Sequence, residues 1–219
     1  MATLMIDNGP AVPDAPITRT GGVPLAPAGT QWPACASCGG PMQFLAQILL
    51  ADAADRTGGP AGPGSGVLAL FICQNDPGTC EDWDPDAGGN RALLLPADGL
   101  QPLPLPHLDD GADESVLALG TVRTVTTVQE DGADYDRARE AWAARTGNPE
   151  ALVLGQLGGT PAWIQGDETP TCPGCANPMP LTVQLEEGPH PDNLNFGGGG
   201  CAYAFTCRPC AHAVLLWQC

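Results

Sequence analysis

Two cysteine quartets, each opened by the pattern C-x-x-C-x-x-P-M, constrain this chain more than any other feature. Cys35 and Cys38 run into Pro41 and Met42, and Cys172 and Cys175 run into Pro178 and Met179. A second pair follows each knuckle: Cys73 and Cys80 in the first half, Cys207 and Cys210 in the second. Zinc takes four soft or borderline ligands in a tetrahedron, with sulfur at about 2.3 Å. A C-x-x-C turn sets two thiolates on one ion, and a pair from a distant strand closes the coordination. These eight cysteines are the expected metal ligands, with two zinc ions per chain. The pattern is fuller in the second half, where both pairs are C-x-x-C. The first half ends in C-x6-C.

Other readings of the same thiols stay open at this point. Iron is the alternative metal for a four-thiolate site. Redox-active thiols are a second reading, but neither knuckle opens a βαβ helix whose N-terminus would stabilise a thiolate. Disulfides are a third, and they belong to exported proteins. His212 lies two residues past Cys210 and is an alternative ligand to it. Cys201 is expected to be a buried core thiol, and Cys219 a free or spare one. His107 and His190 lie in Pro-containing loops and are expected to be solvated.

Self-similarity organises the rest. At an offset of 137 residues, Gly21, Gly22, Pro24, Gly29, Pro33, Cys35, Cys38, Pro41, Met42 and Gln47 fall on identical residues. At an offset of 134, Gly66, Phe71, Cys73 and Trp83 fall on Gly200, Phe205, Cys207 and Trp217. Each half thus reads as a GG-x-P turn, a knuckle, an apolar run with Gln, a loop, and an apolar strand ending in Cys. Phe44 to Leu50, Val67 to Cys73, Leu181 to Leu185 and Cys201 to Cys207 read as strands. Asp52 to Ser65 reads as a loop, and so does Glu186 to Gly200. Val116 to Val128 reads as one or two strands. Asp134 to Arg145 reads as a helix, with Tyr135, Ala138 and Trp142 on one face and Gly147 as its stop. Pro96 to Glu114 reads as a linker. Residues 1–100 are expected to form the first repeat, 101–150 a linker with strand and helix, and 151–219 the second repeat.

With 29 Gly and 24 Pro among 219 residues, long helices are disfavoured. The expected class is mainly β, a β-rich α+β fold of internally duplicated sheet units with one or two short helices. Eight basic residues against 25 acidic ones leave a net charge of −17. That field repels phosphate backbones, so no nucleic-acid partner is expected, and it attracts basic proteins. It also serves solubility alone. Without an exporting leader or an apolar run of about 18 residues, the expectation is a cytoplasmic protein with no membrane partner.

Three groups of residues carry a family resemblance: LGG-x-P-A-W from Leu157 to Trp163, C-x-x-C-x-x-P-M from Cys172 to Met179, and Phe-x-Cys from Phe205 to Cys207. CASCGGPMQFLAQ from Cys35 to Gln47 and CEDWDPDAGGN from Cys80 to Asn90 add to them. These resemble bacterial YwqG-like proteins, a family carrying a domain of unknown function, and more distantly the eukaryotic programmed cell death 2 family. The resemblance implies a β-rich, internally duplicated fold. The eukaryotic relatives are associated with escorting a newly made, basic ribosomal protein.

No catalytic motif is visible: G-x-S-x-G, P-loop and H-E-x-x-H patterns are all absent from the sequence. Gly197 to Gly200 is a glycine run without the Lys and helix of a phosphate loop. Asp82, Asp84 and Asp86 read as a solvated acidic turn. The reading that results is a zinc-stabilised protein-binding module, a chaperone or adaptor for a basic partner such as a ribosomal protein. The competitors are a thiol-redox or metal-dependent enzyme and a purely structural or regulatory zinc protein.

Overall fold

A computed structural model describes residues 1–53, 66–75, 79–107, 117–190 and 194–219. Most of the expected Asp52 to Ser65 loop, the end of the Pro96 to Glu114 linker, Val116, and part of the loop before Gly200 lie outside the described residues.

The four strands read from the sequence form where expected: β4 (Gln43–Leu49), β5 (Val67–Ile72), β10 (Leu181–Glu186) and β11 (Cys201–Cys207). The Val/Thr-rich stretch forms one strand, β8 (Arg123–Glu130). Five further strands complete the main sheet: β1 (Ala2–Pro10), β2 (Arg19–Thr20), β6 (Asn90–Leu95), β9 (Val153–Leu157) and β12 (His212–Gln218). Two short strands, β3 (Leu25–Ala26) and β7 (Gln101–Pro102), pair separately. The protein is mainly β, as the composition requires.

The ten strands run β12-β11-β10-β9-β1-β8-β2-β4-β5-β6, every neighbour antiparallel. The order reads alike from both ends. Each outer trio is a knuckle-fed hairpin plus an edge strand, and β1 and β8 meet in the middle. These two exchange places: the N-terminal strand β1 borders β9, and β8 borders β2. The edge strands β6 and β12 then come round to face each other, which nearly closes the sheet. All three spans named from the sequence supply strands to this one sheet.

Alternation within the strands sorts side chains to two faces. The inner face gathers Met5, Leu45, Ile48, Leu68, Leu70, Ile72, Leu154, Val183, Leu185 and Leu215 into one core. Two outer clusters lie under the knuckles. One joins Cys35, Met42, Phe44, Phe71, Cys73 and Cys80; the other joins Cys172, Met179, Leu181, Tyr203, Phe205 and Cys207. Both hairpins carry a register shift at the same place, between Phe44 and Ala46 in β4 and between Leu181 and Val183 in β10.

The one α-helix among the described residues, α1 (Tyr135–Thr146), is capped as its sequence demands. Asp134 accepts the Arg137 N–H at 2.9 Å, and Gly147 closes the C-terminus at φ 74°. Its face of Tyr135, Ala138 and Trp142 is buried against Leu4, Ile6 and Val153.

One sequence match does not survive. Trp83 and Trp217 are not equivalent: Trp83 sits in an exposed turn after Cys80, whereas Trp217 lies in β12. The first half inserts a longer connection between β5 and its edge strand, so a fixed offset fails beyond Cys73. The two residues meet, with the Trp217 N–H donating to the Trp83 carbonyl at 3.4 Å.

Candidate metal centres

The structure brings the eight expected residues into two groups, Cys35, Cys38, Cys73 and Cys80, and Cys172, Cys175, Cys207 and Cys210. Within each group all four sulfurs lie within 4.8 Å of one another. Cys38 Sγ is 3.7 Å from Cys73 Sγ, and Cys175 Sγ is 3.8 Å from Cys207 Sγ. A disulfide needs about 2.05 Å. A tetrahedron with metal–sulfur bonds of about 2.3 Å has edges of about 3.8 Å, so the donor set and its spacing fit a divalent, thiophilic ion.

The knuckles are built alike. Cys35 N–H donates to Gly40 O at 2.9 Å and Gly39 N–H to Cys35 O at 2.9 Å. Cys172 N–H donates to Asn177 O at 2.9 Å and Ala176 N–H to Cys172 O at 2.8 Å. Bridges Ala34 to Pro41 and Thr171 to Pro178 clamp the two loops, and Met42 and Met179 are buried beneath them. The residue after the second cysteine turns left-handed in both, Gly39 at φ 74° and Ala176 at φ 57°. Prolines on either side stiffen the approach.

The second pairs differ. Cys207 ends β11, and one 3-10 turn, Arg208–Cys210, delivers Cys210 before β12 begins. Gly174 makes room for it: a Cβ there would stand 3.0 Å from Cys210 Sγ. In the first half Cys73 follows β5, and Cys80 arrives from the longer connection that reaches Asn90. Asn75 braces this site by donating its amide to Cys73 Sγ at 3.3 Å and to Cys38 Sγ at 3.4 Å. It also holds Pro41 O at 3.2 Å.

Four crowded thiols divide their acidities. Burial pushes the Cys38 thiol up, but the Gly40 N–H, the Asn75 amide and the neighbouring thiols outweigh it and bring it down to about 7. Cys172 is likewise brought to about 7 against burial, by the N–H groups of Cys175 and Gly174 and by thiols. Their partners move the other way. Cys210 is pushed up to about 12 by its contacts with Cys207, Cys172 and Cys175, and burial drives Cys80 well above the usual thiol range. One thiolate per quartet forms easily, and the next must form beside it. A bound cation removes that penalty, so metal binding releases protons.

The remaining candidates are placed as follows. His212 opens β12 opposite Cys207 and belongs to neither quartet. Cys201 is buried, its pKa raised to about 12 chiefly by burial, and Cys219 is exposed. His107 is exposed, while His190 Nε2 lies 3.5 Å from the buried Asp7 carboxylate, which Arg123 also holds. The glycine run serves the chain's own anion: Phe196, Gly198 and Gly199 N–H groups donate to the Glu187 carboxylate at 2.6–3.0 Å. The acidic turn is not wholly solvated. Asp84 caps it through the Asp86 and Ala87 N–H groups, but Asp82 is buried and its Oδ1 has no partner among the described residues.

Sequence reasoning saw Gln47 and Gln184 match without giving them a task. Gln47 Oε1 accepts the Leu25 N–H and Gln184 Oε1 the Ala162 N–H, both at 2.9 Å. Each glutamine thus ties a strand to the turn that follows GG-x-P. Arg19 and Gln156, at the same 137-residue offset, hold the carbonyls of Val23 and Thr160. For Gln47, Gln156 and Gln184 the signal was polarity inside a mainly apolar strand, whereas Arg19, in the two-residue β2, carried no such signal.

Among the described residues no helix is long and apolar enough to cross a membrane. Uncharacterized protein YpfL of Salmonella typhimurium (strain LT2) is 37% identical over 71 residues, which span 30% of this chain and 15% of that protein. A model of the family described as domain of unknown function (DUF1963) matches residues 18–208. With most of its length so matched, and in keeping with the resemblance to an uncharacterised bacterial family, the chain belongs to the DUF1963 family.

Proposed function

We propose that this protein is a zinc-stabilised binding module that holds a basic protein segment, acting as a chaperone or adaptor in the reducing cytoplasm. The observation that carries the reading is the pair of sulfur quartets, each with its four sulfurs within 4.8 Å of one another and with one edge, at 3.7 Å in the first and 3.8 Å in the second, matching a metal–thiolate tetrahedron. Four thiolates complete a tetrahedron and leave no position for a substrate water, the arrangement of a structural site rather than a catalytic one. Cys35, Cys38, Cys73 and Cys80 would hold one ion, and Cys172, Cys175, Cys207 and Cys210 the other.

The choice of partner rests on charge. A net charge of −17 attracts basic chains and disfavours nucleic acid. A ribosomal protein has that character, and the programmed cell death 2 resemblance points the same way. Four sulfurs arranged around a centre, rather than two at bonding distance, favour the metal scaffold over thiol-redox chemistry.

Native mass spectrometry of the purified protein tests the metal: two zinc ions per chain are expected. Affinity capture from lysate at low salt tests the partner. Basic proteins that leave as salt rises support the reading; capture indifferent to salt, or of no basic protein, defeats it.

A further inference from the structure

Comparison of the halves shows where the scaffold departs from its own plan. In the first hairpin Leu49 stands opposite Val67 on adjacent strands, an apolar pair. The corresponding pair of the second hairpin is Glu186 opposite Cys201. The turn that Gln47 holds buries Leu25 and Ala26, whereas the one that Gln184 holds presents Ala162 and Trp163 to a cavity of about 470 Å³. That volume falls in the range of ligand sites.

The cavity walls are Tyr135 and Arg139 of α1, Trp163, Glu186, Glu187 and Cys201. Glu186 accepts the Tyr135 hydroxyl at 2.7 Å and Arg139 Nη1 at 2.6 and 2.7 Å. Arg139 Nε lies 3.5 Å from Glu150, without a hydrogen-bond partner among the described residues. Asp136 stands on the rim. One guanidinium therefore answers three carboxylates, those of Glu186, Glu150 and Asp136. Trp163 lies against Tyr203, ring centroids 4.5 Å apart, and supplies an aromatic wall. A half-buried ion pair stabilises a fold no better than the apolar pair its counterpart uses. An ion pair that faces a cavity, where the first hairpin has an apolar pair, is what a ligand site requires.

We propose that this cavity receives the side chain of a lysine or arginine from a bound peptide, the aliphatic arm on Trp163 and the cationic head toward Glu186 and Asp136. The proposal rests on the reading that the partner is basic, and it names the place where that partner is gripped.

The test uses the full-length, metal-loaded, ¹⁵N-labelled protein, titrated with a short Gly-Lys peptide, its Gly-Glu counterpart and spermidine. The Gly-Lys peptide is expected to shift the Gly199, Gly200 and Cys201 amides and the Trp163 indole; the Gly-Glu peptide is expected to shift none. Glu186→Gln should weaken binding about tenfold, the loss of a charge-assisted hydrogen bond. Asp136→Asn, at an exposed position that leaves folding intact, should weaken it about threefold. Binding by both variants as tight as the parent's overturns the proposal. Gly-Lys binding that shifts other residues and leaves the cavity silent also overturns it, yet leaves the basic-partner reading standing. No binding of the Gly-Lys peptide defeats both. Spermidine that shifts the cavity as strongly as the peptide overturns the peptide as occupant.

Discussion

The two sulfur quartets share a knuckle design and differ in how the last cysteine reaches its group. In the second half, Cys207 and Cys210 bracket one 3-10 turn between two paired strands. In the first, Cys80 comes from a connection of its own, tied back by Cys73 N–H to Gly89 O and by Asn75. A ligand fixed by strand geometry loses little further freedom on binding, whereas one on a long connection must be ordered along with it. The lesson is that equal donor sets need not give equal sites.

The largest effects should come from removing ligands. Structural zinc contributes on the order of 10 kcal/mol, as much as a domain's net stability. Cys172→Ser is therefore expected to lose the second metal and its native melting transition. Cys80→Ser should lose one ion but retain more structure. Circular dichroism melts with metal content by mass spectrometry would check both; a Cys172→Ser protein that melts like the parent without its metal breaks the comparison. Chelator should likewise draw zinc from the intact protein in two phases, the first lost from the Cys80 site. Combining each ligand variant with a chromogenic chelator assigns the phases.

The next effects compare matching positions of the two halves. Gln47→Ala strands the buried Leu25 N–H and Gln184→Ala the half-buried Ala162 N–H, and each should cost about 1–3 kcal/mol in denaturant melts. Gln184→Ala should be the more severe, since its amide also binds Cys201 and receives Gln156.

No acid matches Asp82 in the second half, where the offsets of 134 and 137 reach Leu216 and Cys219. Burial raises the Asp82 pKa, and its own backbone N–H offsets this only in part. A carboxyl with a raised folded pKa destabilises the native state above its unfolded pKa and has no such effect below it. Asp82→Asn should therefore raise stability at neutral pH by about 1 kcal/mol, with the gain vanishing as pH falls below the carboxylate range. Paired melts at neutral and acid pH would show it; a gain that persists in acid would mean packing rather than charge.

The smallest effect lies in the knuckles. Ala176 holds a left-handed conformation that glycine takes more readily, so Ala176→Gly should stabilise by about 1 kcal/mol or less, and Gly39→Ala should do the reverse. Equal and opposite shifts in thermal midpoint would mark the two turns as interchangeable.

Much of the site was legible before the fold. Cysteine spacing separated the eight grouped thiols from Cys201 and Cys219, because C-x-x-C turns are local and the second pairs end apolar strands. The helix was legible through Asp134, Gly147 and one apolar face. Strands β1, β9 and β12 were not, although β9 is wholly buried, because they lie outside the cysteine-framed runs. Asp82 was read as solvated because a run of alternating acids says nothing about which of them a neighbouring edge strand will cover.

By itself, the sequence determined the mainly β class, the two sulfur groups and the turns that form them, since all of these follow from local spacing and backbone preference. Only the tertiary structure decided that β1 and β8 exchange places at the centre of one sheet, that β6 meets β12, and that a cavity opens beside Glu186. Those outcomes depend on contacts between residues far apart in the chain, and their geometry is set by packing rather than by any periodicity along it.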